Sequence, residues 1–300
     1  MVRGMDFDLL VVGDANPDVI VAGAPRVPAF GQREELVEAG RLTLGGSGAI
    51  TACGAARLGL RTAFAGRVGD DAAGRFVLGE LEKRGVDVSS CVVDPGAETA
   101  LTVVLTDGTD RAILTATGCL DRLTVADIPD GLRAAHVHVS SYFLQPGLGS
   151  GLAEYFRTVA STTSLDTNDD PSGRWKGLDE LLAVTDYFLP NDREALAVTG
   201  AATVEEAAAE LARITTPVIK CGADGALAVR DGAVIRVPAT PARVVDTVGA
   251  GDSFNAGFLA ARARGLAVRQ SLAVAAKAGT LSTRAAGGTA AQPTWEEATS

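Results

Sequence analysis

Histidine is nearly absent from this 300-residue chain, with two copies, which leaves little room for histidine-based metal sites or catalytic triads. Cysteine is scarce as well. The four thiols, Cys53, Cys91, Cys119 and Cys221, stand far apart and form no C-x-x-C pair, so neither a zinc framework nor a disulfide scaffold is suggested, and reduced, partly buried thiols are expected. Basic charge is in deficit. Lys and Arg number 27 against 37 Asp and Glu, a net charge of -10 with no basic patch to override it, so nucleic acid and anionic membranes are not expected partners. Long apolar runs are missing too: near the start the longest covers residues 9–12, too short for a membrane span or a signal peptide, and a cytoplasmic location is expected. No linker, internal repeat or low-complexity tract divides the chain, so one domain over residues 1–300 is expected.

Apolar residues make up 47% of the chain, enough to bury a full core and to exclude a disordered protein. The 35 glycines suit tight turns and close backbone approaches. Apolar runs alternate with amphipathic stretches, the pattern of strands that cross over through helices. Strands are expected at residues 7–13, 61–66, 135–140, 163–166, 187–189 and 217–220, and helices at 48–58, 70–84, 148–160, 174–183, 193–199, 204–214, 252–264 and 271–283. Two segments break the alternation. Residues 15–38 are rich in Pro and Gly and make a poor helix, while 100–105 and 111–116 flank the turn 106–110 and read as a hairpin; a second hairpin turns around Arg230, Asp231 and Gly232. The expected fold is α/β, a three-layer α/β/α sandwich with a mostly parallel sheet and a small antiparallel β lid built from segments near 15–40 and 97–118. Ligands in such folds sit beyond the carboxyl ends of the strands.

The most informative stretch is VDTVGAGDSFNAG at residues 245–257. Gly249, Ala250 and Gly251 open a helix, so backbone N–H groups unhindered by side chains, together with the helix dipole, make an anion cradle. Asp252 in the first turn reads either as a cap after a glycine turn or as a base that takes a proton from an attacking hydroxyl. A helix N-terminus lowers an aspartate pKa and weakens it as a base, which phosphoryl transfer tolerates because positioning and charge stabilisation dominate. Asn191 and Glu194, read alone, are an N-cap with its capping-box partner. His136 and His138 alternate on a strand and read as packed histidines. Residues 166–170 follow a strand, so their polar side chains are expected along the crevice, and Ser140 and Ser141 end another strand there.

The stretch DTVGAGDSF at 246–254 resembles the C-terminal signature of the ribokinase-like (PfkB) sugar kinase family. GGSGA at 45–49, AARLG at 55–59 and GRVGDDAAG at 66–74 resemble its N-terminal signature, in the same order, and the resemblance extends over roughly residues 8–288. It implies ATP-dependent phosphorylation of a hydroxymethyl group on a sugar or nucleoside. Carried over by position, Asp252 matches the base and Gly249, Ala250 and Gly251 its anion hole. Asn16 and Asp18 fall where sugar hydroxyls are gripped, with Gly45, Gly46 and Ser47 beside them, whereas Ile50 replaces an asparagine that touches sugar in many relatives. Asn191 and Glu194 match an element that organises magnesium through water. Lys220, Gly222, Gly225 and Thr247 fall on the nucleotide side, Lys220 either contacting phosphate or ending its strand in solvent. Asp246 lies where relatives often hold a monovalent cation, K+ in type. Asp170 stands where relatives taking acid sugars carry an arginine, so a neutral substrate of ribose or ketohexose type is expected. A nucleoside kinase is the alternative within the family, and a non-catalytic sugar-sensing protein the alternative outside it. A dinucleotide oxidoreductase fails because Thr51 occupies the third glycine position of G-x-G-x-x-G, and a P-loop kinase fails because no G-x-x-x-x-G-K-[ST] occurs. An exposed lid edge could pair two subunits as a homodimer.

Overall fold

The computed structural model describes residues 5–108 and 110–300. The first half runs β1 (Phe7–Val12), β2 (Asn16–Ala22), β3 (Ala39–Gly45), α1 (Ser47–Arg57), β4 (Thr62–Ala65), β5 (Arg67–Gly69), α2 (Ala72–Lys83), β6 (Val86–Asp87), β7 (Val92–Asp94), β8 (Leu101–Thr106) and β9 (Arg111–Ala116). It continues through β10 (Ala134–Val139), α3 (Pro146–Gly149), α4 (Leu152–Thr158), β11 (Thr162–Leu165), α5 (Asp179–Leu182), β12 (Tyr187–Phe188), α6 (Asp192–Thr199), α7 (Val204–Leu211) and β13 (Thr216–Lys220). The chain closes with β14 (Ala226–Arg230), β15 (Ala233–Val237), α8 (Ala250–Ala263), α9 (Val268–Ser282) and α10 (Trp295–Thr299).

Nine strands form the main sheet in the order β15-β14-β13-β12-β11-β10-β1-β4-β6. Every pairing from β13 to β6 is parallel, and the two edge pairings, β13/β14 and β14/β15, are antiparallel. That hairpin turns on Asp231 and Gly232, both at positive φ (52° and 75°), the backbone a two-residue turn needs to match strand twist. Alternate residues of β1 face opposite layers. Leu9 and Val11 pack into a core with Ala52 of α1 and Phe258 of α8, Leu10 and Val12 into one with Leu152 of α4 and Ala207 of α7. Helices therefore cover both faces, the three-layer α/β/α sandwich. Among the described residues no helix is long and apolar enough to cross a membrane.

A separate four-stranded sheet has the order β3-β2-β8-β9. Its outer pairs are antiparallel and its central β2/β8 pair is parallel, because β2 and β8 both run away from the main sheet. Segment 15–38, expected to leave the main sheet and build the lid, holds the seven-residue strand β2 followed by irregular chain in which Phe30 and Leu36 are 94% and 93% exposed. The expected turn at 106–110 contains Thr109, which lies outside the described residues. Two helices are shorter than expected. Gly151 at φ 102° divides 148–160 into α3 and α4, and Trp175 and Gly177 at φ 50° and 86° keep 174–183 non-helical until Asp179.

Candidate active site

From β1 the chain passes to β4 on one side and later to β10 on the other, so the strand order reverses beside β1 and opens a crevice at the carboxyl ends of the strands. Asp14, Ser140, Asp166, Asn191 and Lys220 all follow or end strands there. The first turn of α8 faces the same crevice. Gly249 caps α8 at φ 71°, and a Cβ there would stand 2.6 Å from the Gly288 Cα, so only glycine makes this entry. The Ser253 N–H closes the first helical bond on the Gly249 carbonyl at 2.9 Å, while that of Ala250 leans on the Thr247 carbonyl at 3.3 Å. The amides of Gly249, Gly251 and Asp252 are thus the first-turn donors facing outward, with Ala250 partly engaged.

Asp252 is buried, 8% exposed. Burial first, and then the charge of Asp166, push its carboxyl up to about 8, against the pull of Lys220 and of the Ser47 hydroxyl. The lowering expected from the helix N-terminus is overturned: desolvation outweighs the dipole, and Asp252 is a stronger base than its sequence position implied.

On the crevice side Asp14 accepts from the Ser47 N–H at 3.0 Å and the Gly48 N–H at 2.9 Å, tying the start of α1 to the end of β1. Asn16 donates through Nδ2 to Asp18 Oδ1 at 2.8 Å and to Thr102 Oγ1 at 3.1 Å, so it orients Asp18 from within the small sheet. Burial raises the Asp18 carboxyl to about 6, with the Asn16 amide opposing and the charge of Asp14 assisting. Gly45 makes room for it, because a Cβ would lie 2.1 Å from Asp18 Oδ1, and a Cβ on Gly46 would lie 2.7 Å from the Asp14 carbonyl. Ile50, 3% exposed, packs its side chain against Gly249 and Gly288 and offers the crevice no hydrogen bond.

Across α8 lies a cavity of about 590 Å³ lined by Lys220, Gly222, Gly225, Thr247, Ala250 and Gly251, among others. A Cβ on Gly225, φ 88°, would meet the Val237 carbonyl at 2.1 Å. Lys220 does not end its strand in solvent. Its Nζ donates to Asp166 Oδ2 at 2.6 Å and to Asn255 Oδ1 at 3.4 Å, and its side chain passes 3.6 Å from where a Cβ of Gly251 would be. Asn255 Nδ2 donates to the same Asp166 oxygen at 2.5 Å. Burial works against the Lys220 charge, but Asp166 and Glu194 outweigh it and hold the ammonium above its usual value. Asn191 and Glu194 form the capping box of α6: Asn191 Oδ1 accepts from the Glu194 N–H at 2.9 Å and Glu194 Oε2 from the Asn191 N–H at 2.8 Å. Burial and the nearby Asp166 raise the Glu194 carboxyl to about 7. Both are oxygen donors of the kind magnesium takes through retained water, so the pair fits that ion. Among the described residues no three acidic, His or Cys side chains cluster as direct metal ligands.

Asp246 accepts from the Val248 N–H at 3.0 Å and the Gly287 N–H at 2.9 Å, pinning the loop after α9, and Arg111 of β9 stands 3.7 Å from it. A monovalent cation held there would share the carboxylate with Arg111. Asp170 departs from the expected crevice lining. Its carboxylate accepts from the N–H groups of Ser172, Arg174 and Trp175 at 2.8, 2.9 and 2.7 Å and folds its own loop.

The pfkB family carbohydrate kinase profile matches residues 6–295. The chain belongs to the pfkB family of carbohydrate kinases. It is 32% identical to a fructokinase of Klebsiella pneumoniae over 96% of this chain and 97% of that one, and 29% identical to a ribokinase of Bacillus subtilis over 97% of each. In structure it is similar to Arabidopsis thaliana ribokinase complexed with ribose and ATP, with a TM-score of 0.87 and 26% identity over 98% of both chains. The fold is therefore ribokinase-like. Within this pfkB kinase, the sequence reading missed Asp14 and Asn255 as members of the site and left Asp166 and Asn168 without roles. Asp14 follows the first strand, and Asn255 lies one helical turn beyond Asp252, just past the 246–254 signature, so position was the available signal.

Proposed function

We infer that this pfkB kinase transfers the γ-phosphoryl group of ATP to a primary hydroxyl of a neutral small sugar of ribose or ketohexose type. The observation that carries the reading is Asp252, buried in the first turn of α8 directly after Ala250 and Gly251, which line the cavity, and within the fields of Asp14 and Asp166. Asp18, oriented by Asn16, and the backbone at Gly45, Gly46 and Ser47 hold the sugar, with its hydroxyl against the Asp252 carboxylate. The nucleotide occupies the cavity beside Lys220, Gly222, Gly225 and Thr247. As the hydroxyl oxygen attacks phosphorus in line, its proton passes to Asp252, the bond to the ADP oxygen breaks, and the Gly249–Asp252 amides receive the charge on the transferring oxygens. Asn191 and Glu194 would hold magnesium through its waters, and that ion supplies charge neutralisation at the phosphates when bound. The acidic surroundings of Asp14, Asp18 and Asp252 favour an uncharged acceptor.

ADP release measured with ATP and magnesium over ribose, fructose, glucose and adenosine tests the substrate class. Release with ribose or fructose is expected. Adenosine as the sole acceptor would make the protein a nucleoside kinase, and no release with any acceptor would favour a sugar sensor. A homodimer across the small sheet belongs to the same reading, since β9 is exposed along its length with Ile113 57% and Leu114 60% accessible. Light scattering should then give twice the 30.6 kDa chain mass, and the monomer mass would contradict it.

A further inference from the structure

Lys220 lines the cavity beside α8, and two side chains anchor its ammonium there. They are Asp166, just past β11, and Asn255, one turn beyond Asp252 on α8, both 0% exposed. The three groups close a ring. Lys220 Nζ donates to Asp166 Oδ2 at 2.6 Å and to Asn255 Oδ1 at 3.4 Å, and Asn255 Nδ2 donates to that same Asp166 oxygen at 2.5 Å.

Charge dictates how the ring is set. The Asn255 amide turns its N–H to the carboxylate and its oxygen to the ammonium, because the opposite setting would bring like charges together at both contacts. Aspartate at this position would repel Asp166, and leucine, similar in size, would offer neither group. The ion pair itself does not need Asn255. A lysine buried without an anion sheds its proton, and Asp166 at 2.6 Å already keeps this one charged. What Asn255 adds is direction, since its oxygen draws the ammonium from β11 toward α8.

An ammonium has three protons, and among the described residues two acceptors take two of them. The third is left for the cavity. The Lys220 side chain is 12% exposed, and Nζ lies 3.7 Å from where a Cβ of Gly251 would stand, in the first turn of α8. The other end of the residue is fixed as well, its N–H donating to the Pro190 carbonyl at 2.9 Å.

We propose that Asn255 is a positioning residue for Lys220: holding Asp166 with its N–H and the ammonium with its oxygen, it keeps the lysine charge against the first turn of α8, where the ammonium donates to an oxygen of the phosphoryl group in transfer. Asn255 need not touch the nucleotide to do this. The inference rests on the reading that the cavity takes ATP and that Asp252 is the base.

The test is a double-variant cycle on kcat, with ATP, magnesium and whichever of ribose, fructose, glucose and adenosine wild type phosphorylates fastest. Lys220→Met should lower kcat by about a hundred- to a thousandfold, the loss of one charged donor to the transferring group, and Asn255→Leu by about ten- to a hundredfold through misplacement of that donor. Acceptor KM should hold steady in both. In the Lys220→Met background, Asn255→Leu should cost kcat nothing more, because the group it positions is gone. Losses that multiply in the double variant, a wild-type kcat in either single variant, or an acceptor KM that rises as far as kcat falls would overturn the proposal. Should Asn255→Leu not fold, Asn255→Ala in the same two backgrounds gives the same comparison. Turnover separates the two levels. If wild type phosphorylates no acceptor, or Asp252→Asn releases ADP as fast as wild type, the underlying reading fails; if Asp252→Asn is inactive while Asn255→Leu keeps its full kcat, only the role of Asn255 fails.

Discussion

At Asp252 two electrostatic effects compete, and their sizes decide the chemistry. The positive end of α8 favours the carboxylate, an effect usually worth under about 1 kcal/mol near a surface. Burial beside Asp166 disfavours it by more, and the carboxyl rises to about 8. A base must be unprotonated, so a raised pKa means activity is lost as pH falls through that value. In kcat/KM against pH for the acceptor, we expect an acidic limb near 8 with a plateau above it; a limb in the ordinary carboxylate range near 4 would contradict the burial argument. Gly45 makes a second residue-scale prediction. A methyl group at Gly45→Ala would stand 2.1 Å from Asp18 Oδ1 and expel that carboxylate from the crevice. Acceptor KM should rise about ten- to a hundredfold, the loss of one or two charged hydrogen bonds, with the KM for nucleotide unchanged. A nucleotide KM that rises equally would mean the damage is general.

Among the elements, β10 and β11 carry a buried polar ladder between apolar layers. Thr162 Oγ1 meets His136 Nδ1 at 2.7 Å, Ser164 Oγ bridges His136 Nε2 and His138 Nδ1 at 2.7 Å each, and Ser140 Oγ meets His138 Nε2 at 3.0 Å. Burial lowers His136 to about 3 and His138 to about 4, so both are neutral links. A folded-state pKa below the ordinary 6.5 means the unfolded chain takes up protons first as pH falls. The stability that the ladder contributes is therefore full above 6.5 and declines toward 4. His138→Gln should cost about 1–3 kcal/mol at pH 7.5, and urea unfolding should find that gap narrowing as pH falls to 5. A gap that widens on acidification would reverse the sign. Sequence pattern revealed these strands because apolar alternation is local, and it revealed the 230–232 hairpin because turn chemistry is local. It failed at 174–183, where the turn is set by the Asp170 carboxylate and left-handed Trp175; at 15–38 the excursion into the small sheet was legible, but not the parallel β2/β8 pairing across more than eighty residues.

Over the whole molecule, the site is assembled from segments that only folding brings together. Asn168 and Ser47 are 121 residues apart in sequence, Lys220 and Asp166 54 apart, Asn255 and Asp166 89 apart. The glycine-rich entry to α8 was legible because its chemistry is contiguous, and so were Asn16 and Asp18 just past the first strand. The buried Lys220–Asp166–Asn255 cluster was not, since no local pattern says which carboxylate meets the lysine. In the proposed function the acceptor takes the crevice and the nucleotide the cavity, and Asp252 acts between them. The decisive measurement is ADP release by Asp252→Asn beside wild type, with nucleotide binding followed in parallel by calorimetry. We predict turnover lower by about three orders of magnitude or more with nucleotide affinity within a few-fold of wild type. Equal turnover in the two proteins would contradict the assignment of Asp252 as the base.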